Sequence, residues 1–410
     1  MRSIVAGAVA LNLAVAALFV GSAWMADQQI QDKIAPGKRV DLGEGIALVV
    51  KSDNGGLFGG TIRSDLVLTG MPHPIPLQTR YSTGWIPGEG LARLRTTLVP
   101  SGAFWKQITT SGVRWQDARH PVSMATVVSW NGAQQTRVQV SGGSYRTASE
   151  ETRWGDLTLL AHLDGMDHRS FIVREPDLRW SSIRNPHDAV RLHDVQYENR
   201  IVVQKGILSA ASRIHLGAST IYGTDVQGLS LRSHFSGLPY DRILAISRNA
   251  HLSNAQKQQE IAVAVLESPL RYQLQRLVFT ADHGAQFRAQ AQIAYPGGNV
   301  GTVSNPLALL SLWTRVSGQA QMRLNPAMVD AVERWYLSDL AHIRNPQTLA
   351  QIQPVLLDRL QKAGLLRPQK GDYAIDLAVD HGSATINGIP LPQASQAILM
   401  AFLESTHGLP

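Results

Sequence analysis

Thirteen histidines and no cysteine set the chemistry that this chain can do. The densest titratable group is His162, Asp164, Asp167 and His168, in Ala-His-Leu-Asp-Gly-Met-Asp-His. A glycine turn between strand-like pieces lets such side chains converge on a cation. The spacing matches no recognised zinc pattern, and no His-Glu-x-x-His occurs, so polar turn residues are the better reading. His187 and His193, with Asp188 and Asp194 beside them, form a looser group. Six residues apart on a strand, the two histidines share a face, which alone does not make a metal site. The Gly-x-Ser-x-Gly nucleophile elbow is absent. A Ser-His-Asp arrangement assembled in space stays open, because such triads are recognised by geometry and not by sequence position. Phosphate-binding loops and a Gly-x-Gly-x-x-Gly after a strand are also missing. No catalytic residue, cofactor or metal is therefore assigned.

Two segments are candidates for contact instead of catalysis. Arg174, Arg179, Arg184, Arg191 and Arg200, with Trp180 and Tyr197, make a moderately basic stretch. Arginine forks bind phosphate oxygens, so Arg174, Arg179, Trp180 and Arg184 could meet anionic headgroups, or they could form a solvated face. Leu57 and Phe58 lie between glycine pairs in Gly-Gly-Leu-Phe-Gly-Gly. They could plug the core or form an apolar tip that touches a membrane or partner.

The elements that must position these residues begin at the N-terminus. Ile4 to Met25 is an uncharged run of 22 residues. As a helix it spans about 33 Å, enough for a hydrocarbon core. Its length favours a retained anchor over a signal peptide, whose apolar region is shorter; Gly21-Ser22-Ala23 would serve as the cleavage site in the latter case. Arg2 precedes the run and Asp27 follows it, which places the bulk of the chain outside the cytoplasm. Export removes nucleic acid as a partner for the formal charge of +7. Without cysteine the exported fold must be stable from its core alone.

From Pro36-Gly37 to about residue 300 the chain reads as strands with period-2 alternation and short turns. Examples are residues 61–68, 136–140, 155–159, 214–216 and 226–232. Such a series predicts antiparallel meanders, not βαβ units. One helix is expected, capped by Asn254 and running to about Leu266, although Ile261 to Leu266 could equally be a buried strand. Asn-Pro pairs at 305, 325 and 345 then offer helix starts. After Pro326, the residues Met328, Val329, Val332, Trp335 and Tyr336 share one helical face. Leu349 to Ala363 forms another helix that Pro354 should kink or split and Gly364 should stop. A hairpin turns at Asp380-His381-Gly382, and Ala394 to Leu403 closes the chain as a helix.

Both ends carry a family resemblance. Gly21-Ser22-Ala23-Trp24 ends the apolar run, and Gly56-Leu57-Phe58-Gly59-Gly60-Thr61 leads into a strand. Leu356-Leu357-Asp358-Arg359-Leu360 precedes Gly364-Leu365-Leu366 and Asp372-Tyr373. The end then reads Gly382-Ser383-Ala384-Thr385-Ile386-Asn387-Gly388-Ile389-Pro390-Leu391. In these features the chain resembles the YdgA-like bacterial family, the domain of unknown function numbered 945. The resemblance implies a protein held in the bacterial inner membrane with its bulk in the periplasm, and it supplies no catalytic residues.

The expectation is an α+β, mainly β protein. Residues 1–26 form a transmembrane anchor or signal segment, 27–300 a β-rich region of extended antiparallel meander, and 301–410 an α+β region. Helices concentrate after residue 300, with a C-terminal hairpin. Its expected role is binding or scaffolding in the cell envelope, with an apolar sheet face laid on helices or on lipid-like chains. Besides the inner membrane, lipid, another envelope protein and a second copy of the chain are the partners left open. An envelope hydrolase is the weakest alternative.

Overall fold

A computed structural model describes residues 36–43, 46–56, 59–69, 73–83, 92–129, 132–164, 168–183, 189–221, 224–249, 251–298, 314–335 and 346–406. The expected anchor, the Asn305-Pro306 start, and Asn345 fall outside these residues. Among the described residues no helix is long and apolar enough to cross a membrane. The protein is mainly β, with antiparallel sheet and fewer helices, as the alternation predicts. The chain divides into two compact units, Met1–Arg200 with Ser219–Gly223, and Ile201–Ala218 with Thr224–Pro410.

Elements are numbered in chain order. The first unit holds β1 (Arg39–Gly43), β2 (Ile46–Gly56), β3 (Gly59–Leu68), β4 (Ile75–Thr83) and β5 (Ala92–Leu98). Helix α1 (Gly102–Thr110) and β6 (Val113–Trp115) follow, then β7 (Val122–Val128), β8 (Gln134–Val140), β9 (Gly143–Arg146) and β10 (Glu150–Trp154). Next come β11 (Leu157–Asp164) and β12 (His168–Ser182). β13 (Ala189–Gln204) begins in this unit and ends in the other, and β15 (Ser219–Ile221) pairs with its start. Antiparallel pairing runs β1, β2, β3, β4, β5, β7, β8, β11, β12. The second half of β12 pairs with β10, which continues through β9 to β6.

Alternation decides which face is core. In Gln134-Gln-Thr-Arg-Val-Gln-Val every second residue is buried and every intervening one is exposed. β3, β5 and β7 repeat the pattern. Leu66, Leu77, Leu98, Met124 and Val138 join one core cluster, onto which α1 lays Trp105 and Ile108 one helical turn apart. Helix α1 is not expected from sequence, because its Ile-Thr-Thr end has β-branched residues that favour strands.

The second unit holds β14 (Ile207–Leu216), β16 (Thr224–Pro239), α2 (Tyr240–Arg248), α3 (Asn254–Glu267), β17 (Leu270–Ala281), β18 (Ala285–Tyr295) and β19 (Ser317–Leu324). After α4 (Pro326–Trp335) and α5 (Pro346–Lys362) come β20 (Arg367–Gln369), β21 (Asp372–Asp380), β22 (Ser383–Ile386), β23 (Ile389–Pro390) and α6 (Leu391–Thr406). Its sheet runs β14, β16, β17, β18, β19, β21, with β20 and β22 also paired to β21. Helix α4 packs on one end of one face, against Phe279, Phe287, Met322 and Tyr373. Helix α6 packs on α5, burying the small Ala394 and Ala401.

Several local expectations change. Ser253, not Asn254, caps α3; its hydroxyl accepts from the Gln256 backbone and the Gln256 side chain returns the bond, a reciprocal capping box. Residues 261–266 are helical, because the capped helix carries through them. Asn325 caps α4 by accepting from Met328 N at 2.9 Å, but Val332 is exposed while Glu333 is buried. Among the described side chains the buried stripe is therefore Met328, Val329 and Glu333; the Trp335 side chain and Tyr336 lie outside the described residues. Pro354 sits inside α5 without splitting it, and Gly364, at φ +73°, ends the helix region as expected.

Candidate functional site

The residues singled out in the sequence do not gather into one place. β2 and β3 close on each other through the pairs Gly55–Gly60 and Gly56–Gly59, so Leu57 and Phe58 are the two residues between the strands. They lie outside the described residues. The glycines beside them have a clear reason. A Cβ on Gly55 would fall 1.9 Å from the Tyr81 hydroxyl, so the Tyr81 side chain occupies the space over the pair.

Arg174 and Arg179 are exposed on β12, but five residues apart they alternate onto opposite faces. Arg179 is held by Asp177 at 2.9 Å. Directly opposite it, Arg153 is held by Glu151 at 2.8 Å. Trp180 is half-buried opposite Thr152, and Arg184 lies outside the described residues. Arg179 is thus engaged locally, and the strand alternation keeps Arg174 from joining it on one face. His162 faces Ser170, and Asp164 faces His168 across the β11–β12 hairpin, while Asp167 is outside the description. Among the described residues no group of three or more His, Asp or Glu side chains is arranged to hold a metal. His187 and Asp188 are likewise outside.

What the structure does assemble is a corner where β8 passes into β9 and β10 into β11. Carboxylates meet the backbone N–H groups of Gly142 and Gly155, and the Gly155 N–H is shared with Asp177 O at 2.7 Å. Gly142 N donates to Asp156 Oδ1 at 2.7 Å, and Gly155 N donates to Glu175 Oε1 at 2.9 Å. Trp154 Nε1 donates to Ser141 O at 3.0 Å, and its ring meets Trp115 edge-on, with centroids 5.6 Å apart. Glu175 is the exceptional group. It is buried, and burial pushes its carboxyl up to about 7 against the pull of the Gly155 and Asp177 backbone bonds, with Asp177 and Asp156 adding to the rise. Asp177 also faces His193 Nδ1 at 3.4 Å, and the His193 backbone N–H donates to Ser219 Oγ at 3.1 Å.

This corner can exchange a proton near neutral pH, a property that often marks functional sites. The buried Ser219 hydroxyl is bonded to the main chain of His193 and staples β15 to β13. Glu175 was not picked out from sequence; the available signal is an acid at an inward strand position just before Pro176. The second buried carboxylate is Glu333 on α4, whose two oxygens have no hydrogen-bond partner; burial, with Asp330 nearby, raises it to about 7.

The apolar surface lies elsewhere, in the second unit. On the sheet face that carries α4, Tyr272 and Ile293 stand directly opposite each other, 37 % and 47 % exposed. Leu399 and Met400 are exposed on α6. No protein-family model matches the chain, and no curated protein matches it significantly.

Proposed function

We propose that this chain is a single-pass inner-membrane protein, anchored by residues 4–25, whose bulk lies in the periplasm and binds or scaffolds without catalysis. Membership in the YdgA-like family is part of the proposal and rests on the motifs at both ends of the chain. The ligand in this reading is a lipid or another apolar group taken up on the second unit's sheet. The observation that carries it is the exposed, directly paired Tyr272 and Ile293 on the sheet face that carries α4 at one end. The first unit offers no such place along β3 to β8. Its inward residues are packed, with Val138 at 0 % and Leu66 at 1 % exposure.

A photo-crosslinking residue at Ile293 of the full chain in cells tests this reading. A lipid-mass adduct at 293, absent when the probe sits at the opposite-facing Gln292, is the expected result. An adduct to a second copy or another protein would support the scaffold alternative instead. No adduct at either position would overturn binding on this face.

A further inference from the structure

The opposite face of the second unit's sheet carries arginines in register. Arg213 on β14 stands opposite Arg232 on β16, and Arg232 opposite Arg276 on β17. On the next two strands Arg288 stands opposite Arg323. A β-bulge at Gln275-Arg276 shifts the row by one pair, and alternation keeps all five on one face. All five are exposed. Like charges directly opposite on a sheet are destabilising. In the first unit the opposed Arg153 and Arg179 each have an acid two residues away on their own strand, whereas the strands of the isolated pair Arg80 and Arg95 hold none. The strands that carry Arg232, Arg276, Arg288 and Arg323 give their arginines no such relief. β14, β17, β18 and β19 contain no Asp or Glu, and β16 has only Asp225 near its start. Among the described residues, Arg232, Arg276, Arg288 and Arg323 make no ion pair. Asp376 shares the face opposite Gln321 and marks the far end of the basic stretch.

We infer that this row binds an acidic polysaccharide. Five strands at about 4.8 Å spacing separate the outer arginines by about 19 Å, which suits an extended chain bearing several charges. Arginine forks match carboxylates bidentately. Exposed Gln273, Gln290, Gln292, Gln319 and Gln321 flank the row, and their amides both donate to and accept from sugar hydroxyls. A depression of about 340 Å³ opens at the bulge between Arg276 and Arg288, large enough to seat part of such a chain. Tyr272, Phe279 and Phe287 all point to the other face, which leaves His215 and His234 as the aromatic rings here, a weaker stacking platform than single-stranded nucleic acid usually finds. Val278 in the depression and Ile207 at the start of β14 share this face but are separated by polar and charged residues, unlike the continuous apolar face with which a protein enters a bilayer interface.

The test is binding of oligogalacturonate to the full chain in detergent, across a salt series. R232Q/R276Q/R288Q should weaken binding about tenfold or more and flatten its salt dependence. R80Q/R95Q, which removes an opposed exposed pair from the first unit, should change it less than about twofold. No binding at low salt would overturn the inference. So would an equal loss from R80Q/R95Q, which would indicate diffuse charge attraction only. Tighter binding to a single-stranded oligonucleotide or to phosphatidylglycerol vesicles would overturn it in favour of that partner. None of these readings depends on the apolar face.

Discussion

The Asn387 side chain ties the hairpin to the end of a helix, its Nδ2 donating to Gly364 O at 2.9 Å just past α5. The same nitrogen donates to Leu365 O at 2.9 Å, while Oδ1 accepts from Asp376 N at 2.7 Å. Asn387 is buried and sits at φ +52°, a conformation that asparagine tolerates better than most residues. Its place in the C-terminal motif is thus explained by structure alone. N387A should destabilise the chain by about 3 kcal/mol, because buried polar partners lose their bonds and a positive φ is strained. Denaturant unfolding measures this, and a loss under about 0.5 kcal/mol would show that the tie does not matter.

Two threonine pairs cross the first unit's core. The Thr79 and Thr96 hydroxyls are 2.8 Å apart and buried, as are those of Thr126 and Thr136 at 3.0 Å. T79V alone strands one hydroxyl and should cost about 1–2 kcal/mol. T79V/T96V replaces both partners and should be close to neutral. A double-mutant cycle reads the coupling, and additive single costs would refute it.

Gly143 is required by the tryptophan corner. A Cβ there would fall 2.5 Å from Arg114 O and 2.6 Å from Trp154 Cζ2. G143A should cost about 2 kcal/mol or more and disturb the Trp115–Trp154 pair. Near-ultraviolet circular dichroism of G143A against the parent checks the second effect, and an unchanged spectrum with unchanged stability would contradict it.

Glu175 and Glu333 make stability depend on pH in an unusual direction. Both carboxyls are raised from 4.5 to about 7 on folding, so the folded state binds more protons than the unfolded. Their contribution is complete below about 4.5 and is lost as pH rises through 7. A shift of this size corresponds to about 3 kcal/mol per group, which solvent screening reduces to about 1–2 kcal/mol. The unfolding midpoint should fall between pH 5 and pH 8. E333Q should flatten the fall and stabilise the chain at pH 8, since a neutral amide replaces an unpartnered charge. A midpoint that rises over this interval in the parent would contradict the assignment.

The alternating strands, the turn at His381-Gly382 and the stop at Gly364 were legible because each follows a local rule: period 2, positive φ, a helix end. Helix α2 was not, since Tyr240–Arg248 is short and begins after Pro239, without a side-chain cap. Val332 leaves its expected face and Glu333 is buried, because a helical face predicted from hydrophobicity cannot register a buried acid. The contact surfaces were the least legible. Arg174 and Arg179 are close in sequence yet alternate apart, whereas Arg213, Arg232, Arg276, Arg288 and Arg323 are remote in sequence and meet only through strand register.

Export underlies the whole functional reading, and the cysteine-free chain makes it directly measurable. Ser247 is exposed at the end of α2, so S247C introduces a single thiol. A membrane-impermeant maleimide should label S247C in cells whose outer membrane alone is permeabilised. Labelling that appears only after the inner membrane is broken would place this residue in the cytoplasm and contradict the account.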